Sequence, residues 1–264
     1  MFTLCLSLLL TSALSKYTGV TESFQVSVGD TLLNITRETF PVPEKCLSCT
    51  SLAFLNLHEN ENTSVVAARS LLLSSGGSLV KFDKGNSRLV SFYMDGIMYS
   101  VDPNRIFTPE GIEASLKQYG PYSTDAANEV AELAEFVLDI YDFDNQNTVL
   151  ALHNNGGQYG ADSYLPGGPY DQDASAVYIE EGSNPSDFFY VVDPDVYATL
   201  SSEGYNIVLQ NNETVTNDGS LSYYSGIKGK AYINFESQAE YTSFGYQVVI
   251  QLDMIQAVYN MLRK

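Results

Sequence analysis

Leu55-Asn56-Leu57-His58-Glu59-Asn60-Glu61-Asn62 closes an apolar run that begins at Ser51 and reads as a buried strand. The stretch supplies an imidazole and a carboxylate three positions apart, His58 and Glu61. Imidazole nitrogen with carboxylate oxygen is a ligand pair that suits zinc, and a third nitrogen ligand leaves one position open for water. The sequence holds two histidines, and the second, His153, closes another apolar run, Thr148-Val149-Leu150-Ala151-Leu152. Both histidines therefore stand where a strand gives way to a loop, the edge at which open α/β sheets bind ligands. A single His-x-x-Glu is a loose motif, because strand-end histidines are often only solvated or hydrogen-bonded. The same setting at His153 gives it weight.

Outward from this stretch, strand and helix patterns alternate. Residues 24–40 carry two short runs on either side of Gly29-Asp30, the pattern of an edge β-hairpin, and Pro41-Val42-Pro43 ends it. Asn62-Thr63-Ser64 opens a helix through Leu73 that Gly76-Gly77 stops. Strands are expected at 78–82, 88–94 and 98–101, the last two joined by a tight turn at Asp95-Gly96. Val130, Leu133, Ala134, Val137 and Ile140 mark a helix over about 125–141. The Gly-, Asn-, Tyr- and Pro-rich stretch 154–170 reads as a functional loop. Strands at 175–179, 188–192, 205–210 and 231–235, a helix capped by Asp193 and an amphipathic helix over 248–262 complete the pattern. This alternation predicts an α/β fold: a mixed, mostly parallel twisted sheet with helices on both faces and the N-terminal hairpin at an edge.

At 264 residues, 44% hydrophobic and 17% charged, the chain has the composition of a folded globular protein. A net charge of −19 argues against nucleic acid and anionic membrane surfaces as partners. Residues 1–15 resemble a secretory signal peptide: the apolar heart is too short to span a bilayer, and Ala13-Leu14-Ser15 offers small residues for cleavage. Its removal takes Cys5 away and leaves Cys46-Leu47-Ser48-Cys49, expected to close a small local disulfide. Sequons at Asn34, Asn62 and Asn212 agree with export, and a glycan on Asn62 would crowd Glu61, so that one is expected to stay unused. With no repeat or linker in view, residues 16–264 are expected to form one domain, with no membrane partner once the signal is gone.

Two further motifs complete a constellation. Between the histidines lies Val101-Asp102-Pro103-Asn104-Arg105-Ile106-Phe107, and after them Tyr232-Ile233-Asn234-Phe235-Glu236-Ser237-Gln238. The order His-x-x-Glu, Asn-Arg, His, Glu resembles the zinc carboxypeptidase superfamily, including its aspartoacylase and succinylglutamate desuccinylase branch. The resemblance runs over about residues 53–238. It implies one zinc ion held by His58, Glu61 and His153, with Asn104 and Arg105 on the substrate's carboxylate and Glu236 as the base that activates water. It also implies an arginine that steadies the oxyanion, matched by Arg88, and an assisting tyrosine, matched by Tyr224 or its neighbour Tyr223. The Glu61–His153 interval, 153 − 61 = 92 residues, is shorter than in digestive carboxypeptidases and closer to the deacylase branch. The expected activity is that of a secreted zinc hydrolase cleaving an amide next to a free carboxylate, most simply a carboxypeptidase acting on peptides. N-acyl amino acids are the alternative substrate, and a binding protein without turnover is the alternative outside enzymes.

Overall fold

A computed structural model of the protein describes residues 19–44, 49–239 and 244–263, with the side chains of 244–246 left out. The expected signal peptide and Cys46 lie outside the described residues. Among those described, one nine-stranded sheet is built from β1 (Val20–Val28), β2 (Thr31–Phe40), β3 (Leu52–Asn56), β4 (Gly77–Asp83), β7 (Thr148–Asn155), β8 (Ala174–Tyr178), β9 (Phe188–Val191), β10 (Ile207–Gln210) and β11 (Ala231–Gln238). The order across it is β1-β2-β4-β3-β7-β11-β9-β10-β8. The four central strands, β4, β3, β7 and β11, run parallel. The β1–β2 hairpin sits antiparallel at one edge, as expected. At the other edge β9 is antiparallel to β11, β10 parallel to β9, and β8 antiparallel to β10. A separate ribbon pairs β5 (Val90–Met94) with β6 (Ile97–Val101) through Asp95 and Gly96, both at positive φ. Two left-handed residues are what a tight hairpin turn of matching twist demands.

Six helices among the described residues are α1 (Asn62–Ser75), α2 (Pro109–Tyr119), α3 (Thr124–Tyr141), α4 (Pro194–Ser202), α5 (Leu221–Ile227) and α6 (Phe244–Leu262). They divide the core in two. On one face Leu133 and Val137 of α3 and Leu116 of α2 pack with Val149 and Ala151 of β7. On the other, Leu72 of α1 and Val258 of α6 pack with Leu150 and Leu152. Burial on both sides is why the central strands read as nearly unbroken apolar runs. Neither α2 nor α5 was expected from the sequence. Thr108 starts α2 by accepting the Gly111 N–H, with Pro109 in its first turn.

Two features position the site. From β3 the chain passes through α1 to β4 on one side, while β7 lies on the other, so the connections diverge between β3 and β7. Such a switch point opens a crevice beyond the carboxyl ends of the strands. Tyr141 of α3 then staples the two strands: its hydroxyl donates to Ala53 O (2.9 Å) and accepts from Leu150 N (3.0 Å). No described helix is long and apolar enough to cross a membrane.

Candidate functional site

His58 lies two residues past β3, and the Glu61 amide donates to His58 O at 3.0 Å, a turn that folds the two side chains together. His153 comes from β7, next to β3. The three are buried and meet: the Nδ1 atoms of His58 and His153 are 3.1 Å apart, His58 Nδ1 is 3.0 Å from Glu61 Oε1, and His153 Nδ1 is 2.9 Å from Glu61 Oε2. Four ligands at about 2.0–2.1 Å from a tetrahedral zinc ion stand about 3.3 Å from one another. The donor set and its spacing therefore fit one such ion.

Protonation fits too. His58 Nε2 is 2.7 Å from Asp102 Oδ1. An ionised carboxylate only accepts, so Nε2 carries the proton and Nδ1 offers its lone pair to the centre. Burial alone would push Asp102 up, but the hydrogen bond from His58 and the nearby guanidinium of Arg88 hold it well below the usual carboxylate range. Burial opposes the charge of Glu61 as well, yet the two imidazoles beside it keep it ionised far below neutrality. For His58, burial pulls down while Glu61 and Asp102 push harder, and the net shift is upward. Both imidazoles thus sit in a field that attracts cations. His153 Nε2 is buried without a partner among the described residues.

The next layer of residues ties these three side chains to the scaffold. Glu61 is the N-cap of α1, yet no side chain of its own caps that helix. Asn154 does so from β7: its Oδ1 accepts from Thr63 Oγ1 (2.6 Å) and Ser64 N (3.2 Å), while its backbone N–H donates to Glu61 Oε2 (3.1 Å). Its Nδ2 donates to Gln251 Oε1 (2.8 Å), locking α6 to the same point. One asparagine satisfies a helix terminus and the Glu61 carboxylate together.

A cavity of about 760 Å³ opens over this cluster, lined also by Arg88, Asn104, Arg105 and Glu236. Parallel register sets Glu236 of β11 directly beside His153. Its carboxylate is clasped by two amides, Asn155 Nδ2 on Oε2 (3.3 Å) and Asn234 Nδ2 on Oε1 (3.2 Å). Burial raises its pKa, and His153 with the two amides offsets only part of that. Asn104 turns its Oδ1 to Leu221 N (3.0 Å), tying the Asn-Arg motif to α5. Arg105 leans on Asn104 O (2.6 Å) and on Asp218 (3.4 Å).

The tyrosine expected to assist stands elsewhere. Tyr224 does not line the cavity: its ring packs on Phe107 and Phe143, because α5 turns that face into the core, and Tyr223 does not line it either. Arg88 does line it, half-exposed, with its guanidinium bonding Glu61 Oε1 (2.9 Å) and Asp102 Oδ2 (3.0 Å). Two carboxylates in one buried cluster draw the nearest cation onto themselves. Asp102, Asn155, Asn234 and Tyr232 gained no role from sequence reasoning. For Asp102 a signal existed, an acid at a strand end beside Pro103 in the motif already singled out.

A search of solved structures finds similar chains. A putative succinylglutamate desuccinylase/aspartoacylase from Shewanella frigidimarina is 14% identical with a TM-score of 0.44, over 94% of this chain and 72% of that one. Bovine thrombin-activatable fibrinolysis inhibitor, in complex with tick carboxypeptidase inhibitor, is 12% identical with a TM-score of 0.47, over 97% and 95%. Carboxypeptidase A from Helicoverpa armigera is 12% identical with a TM-score of 0.42, over 98% and 73%. No protein-family profile matches the chain, and no curated protein matches it by sequence. Likeness at this level says nothing about activity.

Proposed function

We propose that the protein is a zinc-dependent hydrolase that cleaves an amide bond next to a free carboxylate, in the manner of a metallocarboxypeptidase. The observation that carries this is the buried triangle of His58 Nδ1, His153 Nδ1 and the Glu61 carboxylate, with edges of 2.9–3.1 Å, beneath a cavity that holds a further carboxylate, Glu236. His58, Glu61 and His153 would hold the ion, which when bound lowers the pKa of water toward 7 and polarises a carbonyl.

The chain's own groups do the rest. Arg105, fixed by Asn104 O and Asp218, presents its remaining N–H groups to the substrate's carboxylate, and Asn104 lines the wall beside it. Glu236, held at both oxygens, takes a proton from the attacking water and passes it to the leaving amine. A carboxyl whose pKa is raised by burial is better matched to that exchange near neutrality than an exposed one. Arg88 keeps about half of its side chain exposed, so its free N–H groups can face the oxygen on which negative charge develops.

The proposal extends to the whole chain: residues 1–15 as a cleaved signal, 16–264 as one catalytic domain, Cys46 and Cys49 as a local disulfide, and glycans on Asn34 and Asn212 of an exported protein. The test is hydrolysis of blocked dipeptides and of N-acyl amino acids by the purified protein, before and after chelation and with zinc restored. Loss on chelation and recovery with zinc are expected, with dipeptides preferred. A preference for N-acyl amino acids would replace the peptidase by a deacylase. Activity that survives chelation, or none on either substrate with zinc restored, would remove the proposal.

A further inference from the structure

One wall of the cavity carries a carboxylate that the proposed chemistry does not use. Asp173 stands there half-buried with Tyr164, Tyr170 and Tyr190, all of them lining the cavity. Its backbone N–H donates to Tyr170 O (3.0 Å), and its carbonyl accepts from the Tyr190 hydroxyl (3.3 Å). The Tyr164 ring packs on both of these, at centroid distances of 5.4 Å from Tyr170 and 5.3 Å from Tyr190. Asp173 Oδ1 accepts from Thr216 N (2.9 Å) and Thr216 Oγ1 (3.2 Å), which fixes the carboxylate and leaves Oδ2 for another donor. The two arginines that line the cavity are engaged elsewhere, Arg88 with Glu61 and Asp102, Arg105 with Asp218.

A second acceptor lies beside the same rings. Antiparallel register sets Asn234 of β11 directly next to Tyr190 of β9. Asn234 is 8% exposed and lines the cavity; its Nδ2 is spent on Glu236, and its Oδ1 is buried with no partner among the described residues. Leaving such an acceptor unpaired is costly. Aromatic rings with electron-rich faces, a fixed carboxylate and an idle amide oxygen together suit a donor that carries positive charge. An apolar group against this wall would strip water from Asp173 and return nothing, and an acidic one would be repelled.

The loop that ends at Asp218 sets the scale. Asp218 Oδ2 holds Arg105 (3.4 Å), and Thr216, two residues earlier, holds Asp173. Two residues of chain span at most about 7 Å. The proposed carboxylate anchor and the Asp173 carboxylate are thus held from neighbouring points of one loop, within reach of a single amino acid that carries both charges.

We propose that Asp173, with Tyr164, Tyr170 and Tyr190 around it, is a cation-binding subsite for the side chain of the leaving residue, so that the preferred substrate ends in a lysine- or arginine-like residue whose carboxylate sits on Arg105. The inference rests on the reading of a carboxylate-bearing peptide substrate and names the side-chain class that this reading leaves open.

The experiment compares blocked dipeptides ending in lysine and in norleucine, which differ only in the terminal ammonium, on the full-length protein with zinc restored. Calorimetric titration with free L-lysine and free L-norleucine runs beside it and needs no turnover. A charge-assisted bond to Asp173 is expected to favour lysine roughly 10–100-fold in kcat/KM and in affinity. Asp173→Asn, which keeps an oxygen for Thr216, should cut that ratio by about tenfold or more. Tyr170→Leu, which removes the outermost ring, should lower it about two- to fivefold. Equal hydrolysis of the two dipeptides by wild type overturns the inference and leaves the carboxypeptidase reading standing. A ratio that survives in Asp173→Asn, with both substrates slowed together, makes the carboxylate structural and overturns it as well. Hydrolysis of neither dipeptide, with lysine still bound more tightly than norleucine, removes the hydrolase reading and leaves the subsite; binding of neither amino acid removes both.

Discussion

Replacing Asp102 by asparagine separates the electrostatic work of the carboxylate from its shape. Asp102 Oδ1 accepts from His58 Nε2 (2.7 Å) and from Asn104 N (2.8 Å), and Oδ2 faces Arg88 at 3.0 Å. An asparagine oxygen at the Oδ1 position keeps the first two bonds, while its NH₂ meets the guanidinium donor to donor. The imidazole keeps its orientation but loses the anion that makes its other nitrogen basic. Losses of about 10–100-fold in metal affinity follow removal of such a partner, or about 1.4–2.8 kcal/mol. Arg88 is half-exposed, so solvent screens its pair with Asp102 and the cost to folding should be small. Competition for zinc against a chromophoric chelator at neutral pH measures the affinity, with exposed Asp139→Asn on α3 as the control for a lost charge. An Asp102→Asn affinity within about twofold of wild type would refute the orienting role and with it the assignment of Nδ1 as the ligand atom.

Glu236→Gln should lower kcat/KM by about 10²–10⁴-fold, read on any cleaved substrate. In chelated protein it should also melt higher than wild type at pH 8 but not at pH 4. A buried carboxyl with a raised pKa gives its full stability below the unfolded value near 4.3 and loses it as pH rises through the folded one. The donor clash between the introduced side-chain amide and one of the two clasping asparagines offsets part of that gain. Asn154→Ala uncaps α1 and unties Gln251 while the backbone N–H of residue 154 still holds Glu61, so urea unfolding should show a loss of about 2–3 kcal/mol with zinc affinity per folded molecule little changed. Tyr141→Phe leaves Leu150 N and Ala53 O unpaired in the core and should cost about 1–3 kcal/mol in the same assay, with zinc affinity per folded molecule preserved.

What the sequence disclosed, and what it hid, follows from the range of each signal. Strand ends were legible because both histidines close apolar runs, and the buried triangle was legible in part because His58 and Glu61 are only three positions apart. The Gly76 stop of α1 and the Asp95-Gly96 turn needed only local backbone conformation, and both hold, at positive φ. Strand order was not legible, since pairing β3 with β7 joins segments about a hundred residues apart on face patterns that any neighbour could satisfy. Tyr224 was misplaced for a related reason: nearness to Glu236 in sequence does not say which way a short helix turns its rings, and α5 turns this one onto Phe107. Arg88 could be placed near the site but not assigned its partners, because bonds to two carboxylates from different segments exist only after folding. The start of α2 is legible in Thr108, Pro109 and Glu110, while its buried face carries only Ile112 and Leu116 as large apolar side chains.

The adjacency of β3 and β7 has a consequence for biosynthesis. A nascent chain that has emerged only through α3 offers a metal no more than the bidentate half-site His58 and Glu61, with the imidazole of residue 153 still to be translated. Contacts of such long sequence separation form late, since closing the intervening loop must come first. If the proposed ion is bound, its loading therefore reports completion: a chain that stops before His153 keeps two of the three donors, and metal content becomes an assay of correct folding.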